Sequence, residues 1–116
     1  KGHQVWVQQG AGVQAGATDE NYTQAGAVVA DAAQVLGADV LVAINWQPLA
    51  ASQKTIIGAF QPLNFPHYIQ DWTQAQHTVF SLDLLPRTTR AQTMDVLSSQ
   101  ANIAGYKAVL LAAWLY

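Results

Sequence analysis

The chain has 116 residues, a net charge of −2, 10% charged and 51% hydrophobic residues. That is apolar content enough for one domain core, with too few clustered cations to neutralise nucleic-acid phosphates. It has no cysteine, which excludes disulfides and thiolate metal sites, and its longest apolar run, near Ala108 to Tyr116, is far short of the ~20 residues that span a bilayer, so a soluble chain is expected.

The alternation Gln4-Val5-Trp6-Val7-Gln8 predicts a short strand, broken at Gly10-Ala11-Gly12. Lys1-Gly2-His3 before it reads as a helix end with a glycine stop, so a preceding strand and helix are expected to be missing. Gly10-x-Gly12-x-x-Ala15, with Asp31 about 20 residues on, imitates a dinucleotide fingerprint. A true fingerprint starts its helix within the glycines, whereas here Gly16 intervenes and Thr18 is the better cap. A short helix from Asp19 to Ala25, with Asp19 and Glu20 in its first turn and Gly26 as its stop, is the preferred reading.

Ala27-Val28-Val29 reads as a strand, Asp31 to Leu36 as a helix ended by Gly37, and Val40 to Ile44 as an apolar strand buried on both faces. Thr55 to Phe60 repeats that pattern, Phe65 to Gln76 forms a helix, and Val79 to Leu85 gives the next strand. From about residue 94 to 116 the spacing predicts a helix. Met94, Leu97, Ala101, Ala104, Ala108 and Leu111 form one buried stripe, and Gly105 admits a close neighbour. Strand and helix alternate throughout, so 1–116 is expected to be a single α/β domain, Rossmann-like or flavodoxin-like, with a mostly parallel sheet and helices on both faces.

Charge is concentrated between Pro86 and Lys107, which holds three of the five basic residues, Arg87, Arg90 and Lys107. Arg87, Gln92, Asp95 and Ser98 are the candidate site residues. An Arg, an amide and a carboxylate can match the donors and acceptors of a planar carboxamide such as that of nicotinamide. The alternative is that Arg87 and Asp95 pair to brace a loop while Ser98 and Asn102 cap or solvate a helix. His3, His67 and His77 are scattered and lack metal-ligand spacing. Ser98-Ser99 has no nucleophile elbow. The four tryptophans read as packing, although Trp46, following a strand, can also line a cleft.

Arg-x-x-Arg-Ala-Gln-x-Met-Asp-x-Leu-Ser-Ser-Gln-Ala-Asn-x-Ala-Gly-Tyr-Lys-Ala-Val, from Arg87 to Val109, resembles the signature of domain I in the alpha subunit of proton-translocating NAD(P) transhydrogenase, a family that includes alanine dehydrogenase. The likeness extends more weakly through Gly2-His3-Gln4-Val5 and Gly10-Ala11-Gly12. The resemblance implies hydride transfer between NAD(H) and NADP(H), with Arg87, Asp95 and Ser98 by the nicotinamide end of NAD(H). Gln92 would reach toward the NADP(H) carried by a partner domain. It also implies a membrane beta subunit, a homodimer, and a cytoplasmic position peripheral to the inner membrane. The C-terminal helix would lead to an absent NAD-binding Rossmann domain, so little or no activity is expected of this stretch alone. Family members usually carry a Lys on the strand matching Val40 through Ile44. Ala43 and Ile44 stand nearest to it here, which weighs against an alanine dehydrogenase-like reaction. A non-catalytic dimerisation or docking module is the further alternative.

Overall fold

The computed structural model describes residues 2–86 and 88–116. Strand β1 (Trp6–Gln8) leads through a 3-10 turn at Val13–Ala15 into helix α1 (Asp19–Gln24). No α-helix begins within the glycines, only that 3-10 turn, in keeping with the rejected fingerprint. Thr18 is the N-cap, and its amide and hydroxyl donate to Asn21 Oδ1 at 2.8 and 3.1 Å. Such caps satisfy donors that the first helical turn leaves open. Asp19 Oδ1 in turn accepts the Gly10 amide at 2.8 Å, tying the preceding turn to the helix. The chain then runs through β2 (Val28–Ala30) to α2 (Ala32–Leu36). Asp31 caps α2 by accepting the Gln34 amide at 2.8 Å, while Gln34 Oε1 accepts the Asp31 amide at 3.2 Å.

The second half contains β3 (Val40–Ala43), β4 (Thr55–Gly58), α3 (His67–Gln74), β5 (Thr78–Ser81) and α4 (Val96–Leu115). Pairing is parallel throughout, as expected of the α/β class, but β1-β2 and β3-β4-β5 form two sheets rather than one. In the larger sheet Leu41 pairs with Ile56 and Ile56 with Val79, placing one apolar row across three strands. Trp46, Ile56, Phe60 and Trp72 form the core over that row, with Leu49, Tyr68 and Val79 packed against it. Tyr68 and Trp72 lie one turn apart on α3, which is why a single helix delivers both. The Trp46 ring meets Trp72 and Phe60 edge-on at centroid distances of 5.6 and 6.4 Å, a favoured aromatic geometry.

Three sequence expectations are corrected. β3 is not buried on both faces: Leu41 is buried, but Val40 and Val42 are exposed, because no described residue covers its second face. β5 stops at Ser81 and passes into a 3-10 turn at Leu82–Leu84, because Ser81 and Asp83 bond to each other and to Phe60 instead of to a neighbouring strand. The helix near 94–116 exists, but no residue of α4 is buried, and a Cβ added at Gly105 would meet nothing within 4 Å. The expected buried stripe is therefore absent. At 20 residues the helix is about 30 Å long, and it contributes to a radius of gyration of 17.1 Å, where a compact chain of this size has about 13 Å. Among the described residues no helix is long and apolar enough to cross a membrane.

Candidate functional site

Parallel strands bring their carboxyl ends to one edge of the sheet, and the loops leaving β3, β4 and β5 gather there. Asn45 and Trp46 follow β3, and Ala59, Phe60 and Gln61 follow β4. Together with Phe65 and Tyr68 they line a cleft of about 190 Å3. Trp46 thus serves both of its expected purposes: it is core, with its indole N–H donated to Asp71 Oδ2 at 3.3 Å, and it walls the cleft. Gly58 makes the close approach possible. A Cβ there would overlap the Ala43 carbonyl oxygen and the Phe60 ring.

Gln61 adopts φ 49°, a left-handed conformation that costs a non-glycine residue about 1–2 kcal/mol. Its carbonyl accepts the Asn64 and Phe65 amides at 2.9 and 3.1 Å, so the loop over-determines the strained residue. Beside it, Asp83 Oδ1 accepts the Ser81 hydroxyl at 2.6 Å and the Phe60 amide at 3.1 Å. Partial burial pushes the Asp83 carboxyl up, but donors from Ser81 and from the Asp83, Gln61 and Phe60 backbone outweigh it and hold the group below the usual aspartate value.

The chain then enters the polar turn. Ala91 is buried and its amide, with that of Gln92, donates to the Thr88 carbonyl at 3.0 and 3.1 Å. This seats a 3-10 turn at Gln92–Met94, which leaves the Gln92 side chain exposed. Asp95 is the N-cap of α4, with Oδ1 accepting the Leu97 and Ser98 amides at 3.0 and 3.2 Å and Oδ2 the Ser98 hydroxyl at 2.6 Å. A carboxylate at this end also opposes the positive pole of the helix.

Of the four predicted site residues, Asp95 and Ser98 are therefore brought into contact, and Gln92 joins them through its backbone, its carbonyl accepting the Asp95 amide at 3.3 Å. Arg87 lies outside the described residues. The capping role expected of Ser98 falls chiefly to Asp95. Sequence reasoning missed Asn45, Gln61, Ser81 and Asp83. The signal for the last two was the Ser-x-Asp spacing, which suits a local side-chain turn as well as the outward face of a strand.

Across residues 1–104 the chain matches the family described as alanine dehydrogenase/PNT, N-terminal domain. It is 38% identical to the NAD(P) transhydrogenase subunit alpha of Cereibacter sphaeroides, over 96% of this chain and 23% of that protein. Against an NAD(P) transhydrogenase alpha-subunit polypeptide of Rhodospirillum rubrum it is again 38% identical, over 97% of this chain and 33% of that one. The crystal structure of transhydrogenase from Sinorhizobium meliloti superposes with a TM-score of 0.88 at 41% identity, covering 99% of this chain and 36% of that chain. This chain thus spans 23 to 33% of the length of these curated relatives.

Proposed function

The chain belongs to the alanine dehydrogenase/PNT N-terminal domain family, and from that premise we propose that it is the first subdomain of the NAD(H)-binding component of a proton-translocating NAD(P) transhydrogenase. The observation that carries this reading is the likeness in sequence to an NAD(P) transhydrogenase alpha subunit and in fold to a solved transhydrogenase, each over nearly the whole chain, joined to an Asp95 carboxylate and Ser98 hydroxyl fixed in contact at the head of α4.

The residues suit nicotinamide. Its carboxamide offers two donors and one acceptor, which carboxylate, hydroxyl and amide side chains complement. Asp95 and Ser98 would bind the nicotinamide end with Arg87, and Gln92, exposed on its turn, would reach toward the second nucleotide on the NADP(H)-binding partner. When bound, the two nucleotides supply the hydride donor and acceptor. Orientation is the contribution of this chain: a carboxylate held by three donors at the start of a helix cannot swing, so whatever it binds has a fixed angle. A membrane beta subunit would couple the transfer to proton movement, and a homodimer on the cytoplasmic side of the inner membrane is the proposed assembly.

Gln92→Ala in the intact subunit, combined with the NADP(H)-binding component and the membrane subunit, tests this. Hydride transfer should be lost, by analogue-nucleotide assay, while assembly persists on gel filtration. Lost assembly with normal transfer in the assembled fraction would instead favour a docking module, the reading to which the uncovered apolar α4 lends weight. The 116-residue chain alone is expected to bind NADH weakly or not at all, and a micromolar Kd by fluorescence titration would overturn that expectation. Pyruvate- and ammonia-dependent NADH oxidation by the intact protein would point to an alanine dehydrogenase-like enzyme, against which Ala43 and Ile44 stand where the family usually has Lys.

A further inference from the structure

We propose that Asp83 is a positioning residue: its carboxylate sets the spacing between the loop after β4 and the polar turn that carries Gln92 and Asp95. The proposal rests on the reading above for what the turn does, and on geometry for the fastening.

Asp83 sits in the 3-10 turn Leu82–Leu84, where β5 ends. Its Oδ1 accepts one donor from its own side, the Ser81 hydroxyl at 2.6 Å, and one from the neighbouring strand's loop, the Phe60 amide at 3.1 Å. Ser81 Oγ also lies 3.4 Å from the Phe60 nitrogen, completing a three-membered cluster. Hydrogen bonds to an ionised carboxylate are shorter and roughly twice as strong as neutral ones. The cluster therefore ties the end of β5 to the loop after β4 more firmly than a ladder bond would.

What it ties has two sides. On one side are Phe60, which is core, and Gln61, which holds its left-handed conformation in the wall of the cleft. On the other, the same 3-10 turn packs against both β4 and α4, and α4 begins at the Asp95 cap. Met94, beside the Asp95 cap, lines one cavity with Leu82 and Leu84, so a shift of the Leu82–Leu84 turn moves the head of α4 relative to the β4 loop. Backbone pairing ceases on this edge after Gly58 and Ser81, so beyond that point side-chain bonds must set the register.

Two measurements decide the proposal. In the intact subunit combined with the NADP(H)-binding component and the membrane subunit, Asp83→Ala should lower kcat for hydride transfer about tenfold or more and change the KM for NADH by less than about threefold, since misplacement by an ångström weakens the reacting geometry more than ground-state binding. Asp83→Asn, which keeps the shape and one acceptor oxygen, should fall between. A kcat within twofold of the parent for both variants would overturn the proposal. In the 116-residue chain, Asp83→Asn should move the amide resonances of Gln92 and Asp95 as well as those of Phe60 and Gln61. Changes confined to Phe60 and Gln61 would mean that Asp83 braces only its own loop, and the proposal fails. Should the intact subunit, combined with the NADP(H)-binding component and the membrane subunit, transfer no hydride at all while those distant resonances move, the functional reading fails and the fastening role stands. If Asp83→Ala does not fold, Asp83→Asn and Ser81→Ala carry both measurements.

Discussion

In the β3-β4-β5 half, Trp46, Ile56 and Phe60 are 8, 2 and 3% exposed, whereas on α4 Trp114 and Leu115 are 80 and 74% exposed. The two regions are both rich in apolar residues. They differ in having something to pack against: α3 and the loops fold back over the sheet, while α4 touches the rest of the chain mainly at the Leu82–Leu84 turn. A helix that is apolar on every side ordinarily lies inside something larger. Local order in α4 consequently rests on its cap and its residue propensities, and order in the sheet half rests on burial.

The contrast is sharpest for tryptophan. Trp72→Ala removes a side chain from the centre of the aromatic core and is expected to destabilise the domain by about 3–5 kcal/mol. Trp114→Ala, on α4, should stay within about 0.5 kcal/mol. Urea denaturation followed by circular dichroism separates the two, and equal effects would show that α4 is packed after all. Next in size is Gly58→Ala. Its Cβ would run into the Ala43 carbonyl and the Phe60 ring, and overpacking of this kind costs about 1–3 kcal/mol. The matching change on the other region, Gly105→Ala, has open space around it and should stabilise α4 by about 0.5–1 kcal/mol through helix propensity alone. Opposite signs for one chemical change, read as opposite shifts in Tm, are the expected outcome.

Asp95→Ala, smaller again, should lower the stability of α4 by about 1 kcal/mol through loss of its cap. Reduced helical ellipticity with an unchanged near-ultraviolet spectrum is the signature, because the tryptophan core lies in the other region. Asp95→Asn retains most capping ability, so its ellipticity should stay near the parent value. The pair separates capping from the nucleotide contact proposed for the same carboxylate, which Asp95→Asn should still impair.

How far sequence carried each region follows from the same contrast. Thr18 and the glycines marked helix ends correctly because capping is local, the residue and its partner lying three positions apart, whereas Asp31, read as the first helical residue, is the cap just before it. The parallel α/β pattern was legible for the same reason, each strand and helix showing its own period. Burial was not legible where it depended on a distant neighbour. Met94, Leu97, Ala101 and Ala108 have the spacing of a buried stripe, but the intervening Val96, Ile103 and Leu110 spread apolar surface around α4, and no described residue covers it. Val40 and Val42 failed likewise, on a face of β3 that no described residue covers. At the site, Asp95 and Ser98 were singled out one by one, as carboxamide ligands or as separate bracing and capping residues, and their mutual contact emerged only in the fold. The Asp83 cluster was hidden, because its Phe60 donor is 23 residues away in sequence and only strand pairing brings it near.

The smallest expected effect lies within the buried region itself and concerns pH. Asp83 ordinarily titrates near 3.8, and in the folded chain its value is lower. A depressed carboxylate contributes stability that is present above the unfolded value and is lost as pH falls through the folded one. The parent should therefore lose stability on acidification below about pH 4 more steeply than Asp83→Asn, whose side chain cannot titrate. Near neutrality the parent should be the more stable of the two, and the gap should close as the carboxylate takes up its proton. Thermal denaturation from pH 3 to pH 7 reads the difference. Parallel curves for the two proteins would mean that the Ser81 and Phe60 donors hold the charged and neutral forms alike, leaving neighbouring side chains rather than charge to fasten the β4 loop.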